Sequence, residues 1–202
     1  DDHTVVRKGL KQILLDEFTA AVIEEVADAE ELIKKVMTDK WDVVVSDLSM
    51  PGRSGLDALQ QLKISHPELP VLILSIHPEE QYALRALKSG ASGYLSKDTA
   101  PDELVKAVRK VLLGKKYISQ SIAEKLASTF SSDTVMNPHE SLSDREFDVM
   151  KLLANGKSVS EIAEMLSLSV TTVSTYRARV MVKMDLKSNS DLTKYAIENN
   201  LL

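Results

Sequence analysis

Val43-Val44-Val45-Ser46-Asp47 limits the architecture more than any other stretch of this chain. Three β-branched residues in a row suit neither side of a half-solvated strand. They read as a strand covered on both faces, as in a parallel sheet. The strand ends on Asp47, and Pro51 and Gly52 break the chain before a helical pattern starts near Gly55. Open parallel sheets bind ligands just beyond the carboxyl ends of their strands, so Asp47 is placed at a working edge. Ser75 ends the apolar run Val71-Leu72-Ile73-Leu74, and Lys97 follows Gly93-Tyr94-Leu95. Acids, a hydroxyl and an amine thus fall where strands meet loops.

The flanking segments supply helices in alternation. Thr4 to Phe18 reads as a helix with Val5, Val6, Leu10, Ile13 and Leu14 on one side. Ala20 to Val26 is a short strand candidate. Asp28 with Glu31 marks a capping box, and the helix after it turns Leu32, Ile33, Val36 and Met37 inward. Further helices are expected from Gly55 to His66, from Glu79 to Ser89 and from Pro101 to Leu113. Alternation of this kind argues for right-handed βαβ crossovers and an α/β, doubly wound parallel sheet. The chain starts Asp1-Asp2-His3 with no strand before its first helix. We expect a strand ahead of Asp1 in the full protein, central to a sheet of five strands with five helices.

Beyond Gly114 the pattern changes. Ser119 to Phe130 is expected to form one more helix, with Ile122, Leu126 and Phe130 along one face. Ser131 to Ser141 is polar, holds Asn137-Pro138 and reads as a flexible linker. From Leu142 on, everything reads as helical. Ser143 with Glu146 and Ser158 with Glu161 are capping boxes, and Ser167-Leu168-Ser169 is a tight turn before a longer helix from Val170 to about Asp185. A fourth helix follows from about Ser190 to Asn199. A short helix, a tight turn and a longer helix form a helix-turn-helix. The expected division is residues 1–116, a linker with one helix at 117–138, and a four-helix unit at 139–202.

Composition narrows the chemistry. The 202 residues include no Cys, which excludes disulfides, thiol catalysis and cysteine zinc sites and fits a reducing cytoplasm. No stretch is apolar and long enough to span a membrane. Net charge is −5, and residues 139–202 carry eight Lys and Arg against nine Asp and Glu, so nucleic-acid binding rests on local arrangement. Arg177, Arg179, Lys183 and Lys187 lie in or just after the longer helix with only Asp185 among them. On that helix Val173, Val180 and Met184 recur at core spacing. Thr171, Ser174, Thr175, Ala178 and Val182 fall on the opposite side, where small side chains suit major-groove base edges. Arg179 and Lys183 flank that face and can reach phosphates.

Asp1, Asp2 and Asp47 are expected at one end of the sheet. Like charges about 4 Å apart repel by roughly 4 kcal/mol at an effective dielectric near 20, so the cluster calls for a cation or for raised carboxyl pKa values. Magnesium prefers such oxygens and leaves positions for water and phosphate. With an amine beside it, Asp47 can act as a nucleophile toward phosphorus.

Asp1-Asp2-His3, Ser46 to Gly52, Ser75 and Gly93-Tyr94-Leu95-Ser96-Lys97 together resemble the signature of a flavodoxin-like response-regulator receiver domain. Leu142-Ser143-Asp144-Arg145-Glu146, Leu153 to Ser158, Glu161 to Leu166, Thr171-Thr172-Val173 and Tyr195-Ala196-Ile197 resemble the LuxR-type helix-turn-helix. The whole is similar to a NarL/FixJ-type response regulator. The resemblance implies that Asp47 accepts a phosphoryl group from a sensor histidine kinase. It implies that Asp1, Asp2, Asp47 and the Ser49 carbonyl hold Mg2+, that Lys97 and Ser75 bind the phosphoryl oxygens, and that Tyr94 turns inward behind Ser75. Ser49 and His77 match positions that tune phosphoryl lifetime. The expected partners are the kinase, double-stranded DNA through its major groove and a second copy of the chain; a membrane is not among them. Many relatives carry Lys and His where this chain has Ser174 and Tyr176, a departure that bears on the DNA sequence preferred and the exact base contacts but not on the class. A phosphorylation-independent DNA-binding regulator is the alternative. An enzyme of the haloacid dehalogenase type would need an Asp where Ser49 stands, and no glycine loop suits a nucleotide.

Overall fold

The computed structural model describes residues 1–50, 53–124 and 137–202. The chain divides into two compact units, Asp1–Ser131 and Ser132–Leu202. Pro51-Gly52, the second half of the helix expected to reach Phe130, and residues 131–136 of the expected linker lie outside the described residues.

The first unit runs α1 (Thr4–Glu17), α2 (Ala29–Thr38), β1 (Val44–Asp47), α3 (Gly55–Ser65), β2 (Val71–Ser75), α4 (Glu79–Lys88), β3 (Gly93–Ser96) and α5 (Ala100–Leu112). The strands are parallel in the order β1-β2-β3. All of β2 is buried, as its unbroken apolar run requires. Leu72, Leu74 and Leu95 pack against Leu104, Ala107, Val108 and Val111 of α5. Full burial of such a side chain contributes about 1.5–3 kcal/mol.

Register converts sequence position into a site. Asp47 pairs with Leu74, and Ser75 pairs with Ser96. The Leu48 amide then donates to the Leu74 carbonyl at 2.8 Å, and the Lys97 amide to the Ser75 carbonyl at 2.8 Å. The carboxyl ends of all three strands therefore finish level.

Three expectations need correcting. Among the described residues, 20–26 form no strand. A parallel strand exists only by pairing, and the three described strands pair only with one another, in the order β1-β2-β3. The sheet accordingly has three described strands where four are expected between Ala20 and Leu95. Val5 reads as part of one apolar side of α1 and Met37 as inward on α2, yet both are exposed, because each stands at the edge of its helix's apolar stripe. At the start of α2, Asp28 accepts from the Glu31 amide, but Glu31 returns to the Ala27 amide, so the capping is displaced by one residue.

The second unit contains a 3-10 turn, Pro138–Ser141, followed by α6 (Asp144–Ala154), α7 (Val159–Met165), α8 (Val170–Lys183) and α9 (Asn189–Glu198). Residues expected in a flexible linker here form a turn, because His139 Nδ1 lies 2.8 Å from the Tyr195 hydroxyl and its ring meets the Tyr195 ring edge-on. Both capping boxes of α6 and α7 form as read. Phe147, Met150, Leu153, Ile162, Val173, Val180 and Leu192 make the core.

Candidate functional site

Asp47 is the buried centre of the strand-end site, with only 2% of its side chain exposed. A carboxylate out of water needs compensating charge or donors. Lys97 Nζ stands 2.6 Å from Asp47 Oδ2 and 3.0 Å from Asp1 Oδ2. The Ser49 amide donates to Asp47 Oδ1 at 3.0 Å. Asp1, Asp2, His3 and Asp47 each offer a ligand atom, all within 4.8 Å of one another. His3 Nδ1 lies 2.7 Å from Asp2 Oδ1, and its amide donates to Asp1 Oδ1 at 2.9 Å. Asp1 Oδ2 and Asp2 Oδ1 are buried without a well-formed hydrogen bond, although both have these ion-pair neighbours. Hard, clustered, under-bonded carboxylate oxygens are the donor set that a small divalent cation requires.

The adjoining loop is organised by Ser75, which is fully buried. Its hydroxyl accepts from the His77 amide at 2.9 Å. Tyr94 is inward and 3% exposed, and its hydroxyl donates to the His77 carbonyl at 2.9 Å. Burial, the largest influence, pushes the Tyr94 phenol up to about 12, so it remains a donor at neutral pH. His77 Nε2 lies 3.0 Å from the Ser49 hydroxyl, joining the β1–α3 and β2–α4 loops.

Two further residues matter here and were not legible as functional. His3 joins the acidic cluster, and only its adjacency to Asp1-Asp2 hinted at that. Gly55 opens α3 directly under Asp47. A Cβ on Gly55 would stand 2.0 Å from the Asp47 carbonyl oxygen, so glycine is what permits the close approach.

Val173 and Val180 of α8 and its C-cap Met184 are buried, while Thr171, Ser174, Thr175, Ala178, Arg179 and Lys183 are exposed. The Ser169 hydroxyl caps the helix through the Thr172 amide. Arg177 donates to Asn189. Lys183 Nζ lies 2.6 Å from Glu146 Oε2, a contact that spacing could not reveal. Burial raises the Glu146 carboxyl, but Lys183 and the Ser143 donors outweigh it, and the net shift is downward. A depressed carboxylate stabilises the fold above its unfolded pKa, near 4.3, and that contribution disappears as pH falls through the lower folded value. The stability gap between the wild type and Glu146→Gln should therefore shrink as pH falls below the ordinary carboxylate range; a gap that stays constant through acid unfolding contradicts the assignment.

Comparison with known proteins follows the same division. The response regulator receiver domain model matches residues 1–109, and the bacterial regulatory proteins, luxR family, model matches residues 140–196. Response regulator UvrY of Escherichia coli (strain K12) is 38% identical over 202 residues, covering 100% of this chain and 93% of that protein. The chain belongs to the NarL/FixJ-type response regulators. Oxygen regulatory protein NreC of Staphylococcus haemolyticus (strain JCSC1435) is 39% identical over 209 residues, covering 100% of the chain and 96% of NreC. The structure of RcsB from Salmonella enterica serovar Typhimurium, bound to promoter rprA in the presence of the phosphomimetic BeF3-, aligns over 96% of this response regulator and 94% of that chain. Its TM-score is 0.64 and its identity 27%. Receiver domains of this family typically bind Mg2+. No described helix of this response regulator is long and apolar enough to cross a membrane.

Proposed function

We propose that this chain is a transcription regulator switched by phosphorylation of Asp47, with a sensor histidine kinase as phosphodonor. The observation that carries the reading is the buried Asp47 carboxylate, held 2.6 Å from Lys97 within an acidic cluster and one loop away from Ser75 and Tyr94. An Asp47 oxygen attacks the phosphorus of a phosphohistidine. The P–N bond breaks, and the donor imidazole leaves with the electron pair and takes a proton from solvent. Asp1, Asp2, Asp47 and the Ser49 carbonyl would hold magnesium. When bound, that ion supplies positive charge to the phosphoryl oxygens. Lys97 turns from its carboxylate partners to a phosphoryl oxygen, and the Ser75 hydroxyl exchanges the His77 amide for another. Ser49 and His77 stand at the entrance and limit how water reaches the acyl phosphate.

Residues 1–116 form the phosphoacceptor part, 117–138 the connector and 139–202 the DNA-binding part. Thr171, Ser174, Thr175 and Ala178 face base edges in the major groove, with Arg179 toward phosphates; Lys183 reaches a phosphate only by leaving its Glu146 partner. Two copies place their α8 helices on neighbouring half-sites. The chain acts in the cytoplasm, where its kinase and DNA partners meet.

Duplex binding tests this reading through its salt dependence. Incubation with magnesium and acetyl phosphate should tighten binding. Arg179→Ala should weaken it across all sequences and lower the salt slope by about 1. Affinity indifferent to the phosphodonor overturns the switch, and an unchanged slope removes Arg179 from the interface.

A further inference from the structure

The geometry points to residues 115–124 as a strap docked on the receiver, with Glu79 as the clasp that links it to the phosphorylation loop. The segment begins as a short extension of the sheet. The Tyr117 amide donates to the Ser92 carbonyl at 2.8 Å, and Tyr117 bridges Gly93 in parallel register. The approach is close: a Cβ on Gly93 would meet the Tyr117 carbonyl oxygen at 2.7 Å. Lys116 Nζ donates to the Ala91 carbonyl at 3.0 Å. Residues 120–124 then turn helical, and Ile122 is 1% exposed.

The clasp lies between these anchors. The Ser119 hydroxyl donates to Glu79 Oε1 at 2.5 Å, and the Ser121 hydroxyl donates to Glu79 Oε2 at 3.2 Å. The Ser119 oxygen also accepts from the Ile122 amide at 3.3 Å, so one hydroxyl both caps the helical turn and ties it down. Hydroxyl-to-carboxylate bonds are charge-assisted and stronger than neutral ones. Both Glu79 oxygens are engaged by this segment.

Glu79 is the first residue of α4, four positions after Ser75. Between them run Ile76, His77 and Pro78, and His77 is fixed at its amide by Ser75 and at its carbonyl by Tyr94. Resting on the phosphorylation reading above, recruitment of the Ser75 hydroxyl to a phosphoryl group frees the His77 amide. The loop then shifts and carries the α4 N-terminus and Glu79 with it. Two directional hydrogen bonds do not survive an ångström-scale displacement. The strap is thereby released, and the start of the domain connector changes state with Asp47.

Hydrogen exchange on the full chain tests this, read on peptides covering 115–124 with intact mass in parallel. Without phosphodonor, Glu79→Ala and the double variant Ser119→Ala/Ser121→Ala should each exchange about tenfold faster than wild type over this segment. Both should still take up one phosphoryl group from acetyl phosphate. Wild type should approach the variants' rate once phosphorylated. Wild-type exchange in both variants overturns the clasp, as does an unchanged wild-type rate on fully phosphorylated protein. A wild type that takes up no phosphoryl group defeats the phosphorylation reading instead, and the strap then stands or falls on the variants alone.

Discussion

Asp47→Asn should abolish the effect of acetyl phosphate on DNA affinity while leaving basal, salt-dependent binding in place. The amide keeps the shape of the carboxylate and can still accept from the Ser49 amide. It lacks the negative charge that pairs with Lys97 at 2.6 Å, and its oxygen is a poor nucleophile toward phosphorus. Moving a two-state switch from 1:99 to 99:1 takes about 5.5 kcal/mol, so loss of the phosphoryl contacts leaves little residual response. The fold should persist, because Lys97 retains Asp1 Oδ2 at 3.0 Å. A phosphodonor response in a folded Asp47→Asn protein would place the acceptor elsewhere.

Gly55→Ala should be the most damaging single-methyl change near the site. The added Cβ would sit 2.0 Å from the Asp47 carbonyl oxygen, 2.9 Å from its carbon and 3.0 Å from the Leu48 Cα. All three neighbours are backbone, and the same backbone accepts from the Gly55 amide through the Leu48 carbonyl at 2.9 Å. Neither side can yield as a flexible side chain does, so α3 or the end of β1 must move. Overpacking of this kind costs about 1–3 kcal/mol, and the contact with backbone points to the upper end. Denaturant unfolding should show the loss, and phosphoryl uptake should fall with it because Asp47 is displaced. A variant of wild-type stability contradicts the close packing of α3 on β1.

The strand-end site was readable because parallel strands carry their chemistry at one end. Once Val43–Val45, Val71–Leu74 and Gly93–Leu95 are strands, Asp47, Ser75 and Lys97 must meet. The helix-turn-helix was readable for a similar reason. Two capping boxes mark helix starts locally, and Val173, Val180 and Met184 mark one buried face. What the sequence hid depends on distant contacts. Residues 20–26 have strand composition, but pairing is decided by a neighbour. Lys183 reads as a phosphate contact, yet its partner Glu146 lies 37 positions away. Gly55 carries no pattern at all, since its role is the absence of an atom. The Glu79–Ser119 bond spans 40 positions and crosses from a helix start into a segment that reads as linker.

Everything proposed for the switch depends on Asp47 carrying the phosphoryl group. Intact mass after incubation with magnesium and acetyl phosphate, followed by peptide mapping, addresses it directly. A single adduct is expected, confined to the peptide containing Asp47, absent from Asp47→Asn and weakened in Lys97→Ala. No adduct on the folded wild type, or an adduct on any other peptide, would contradict it.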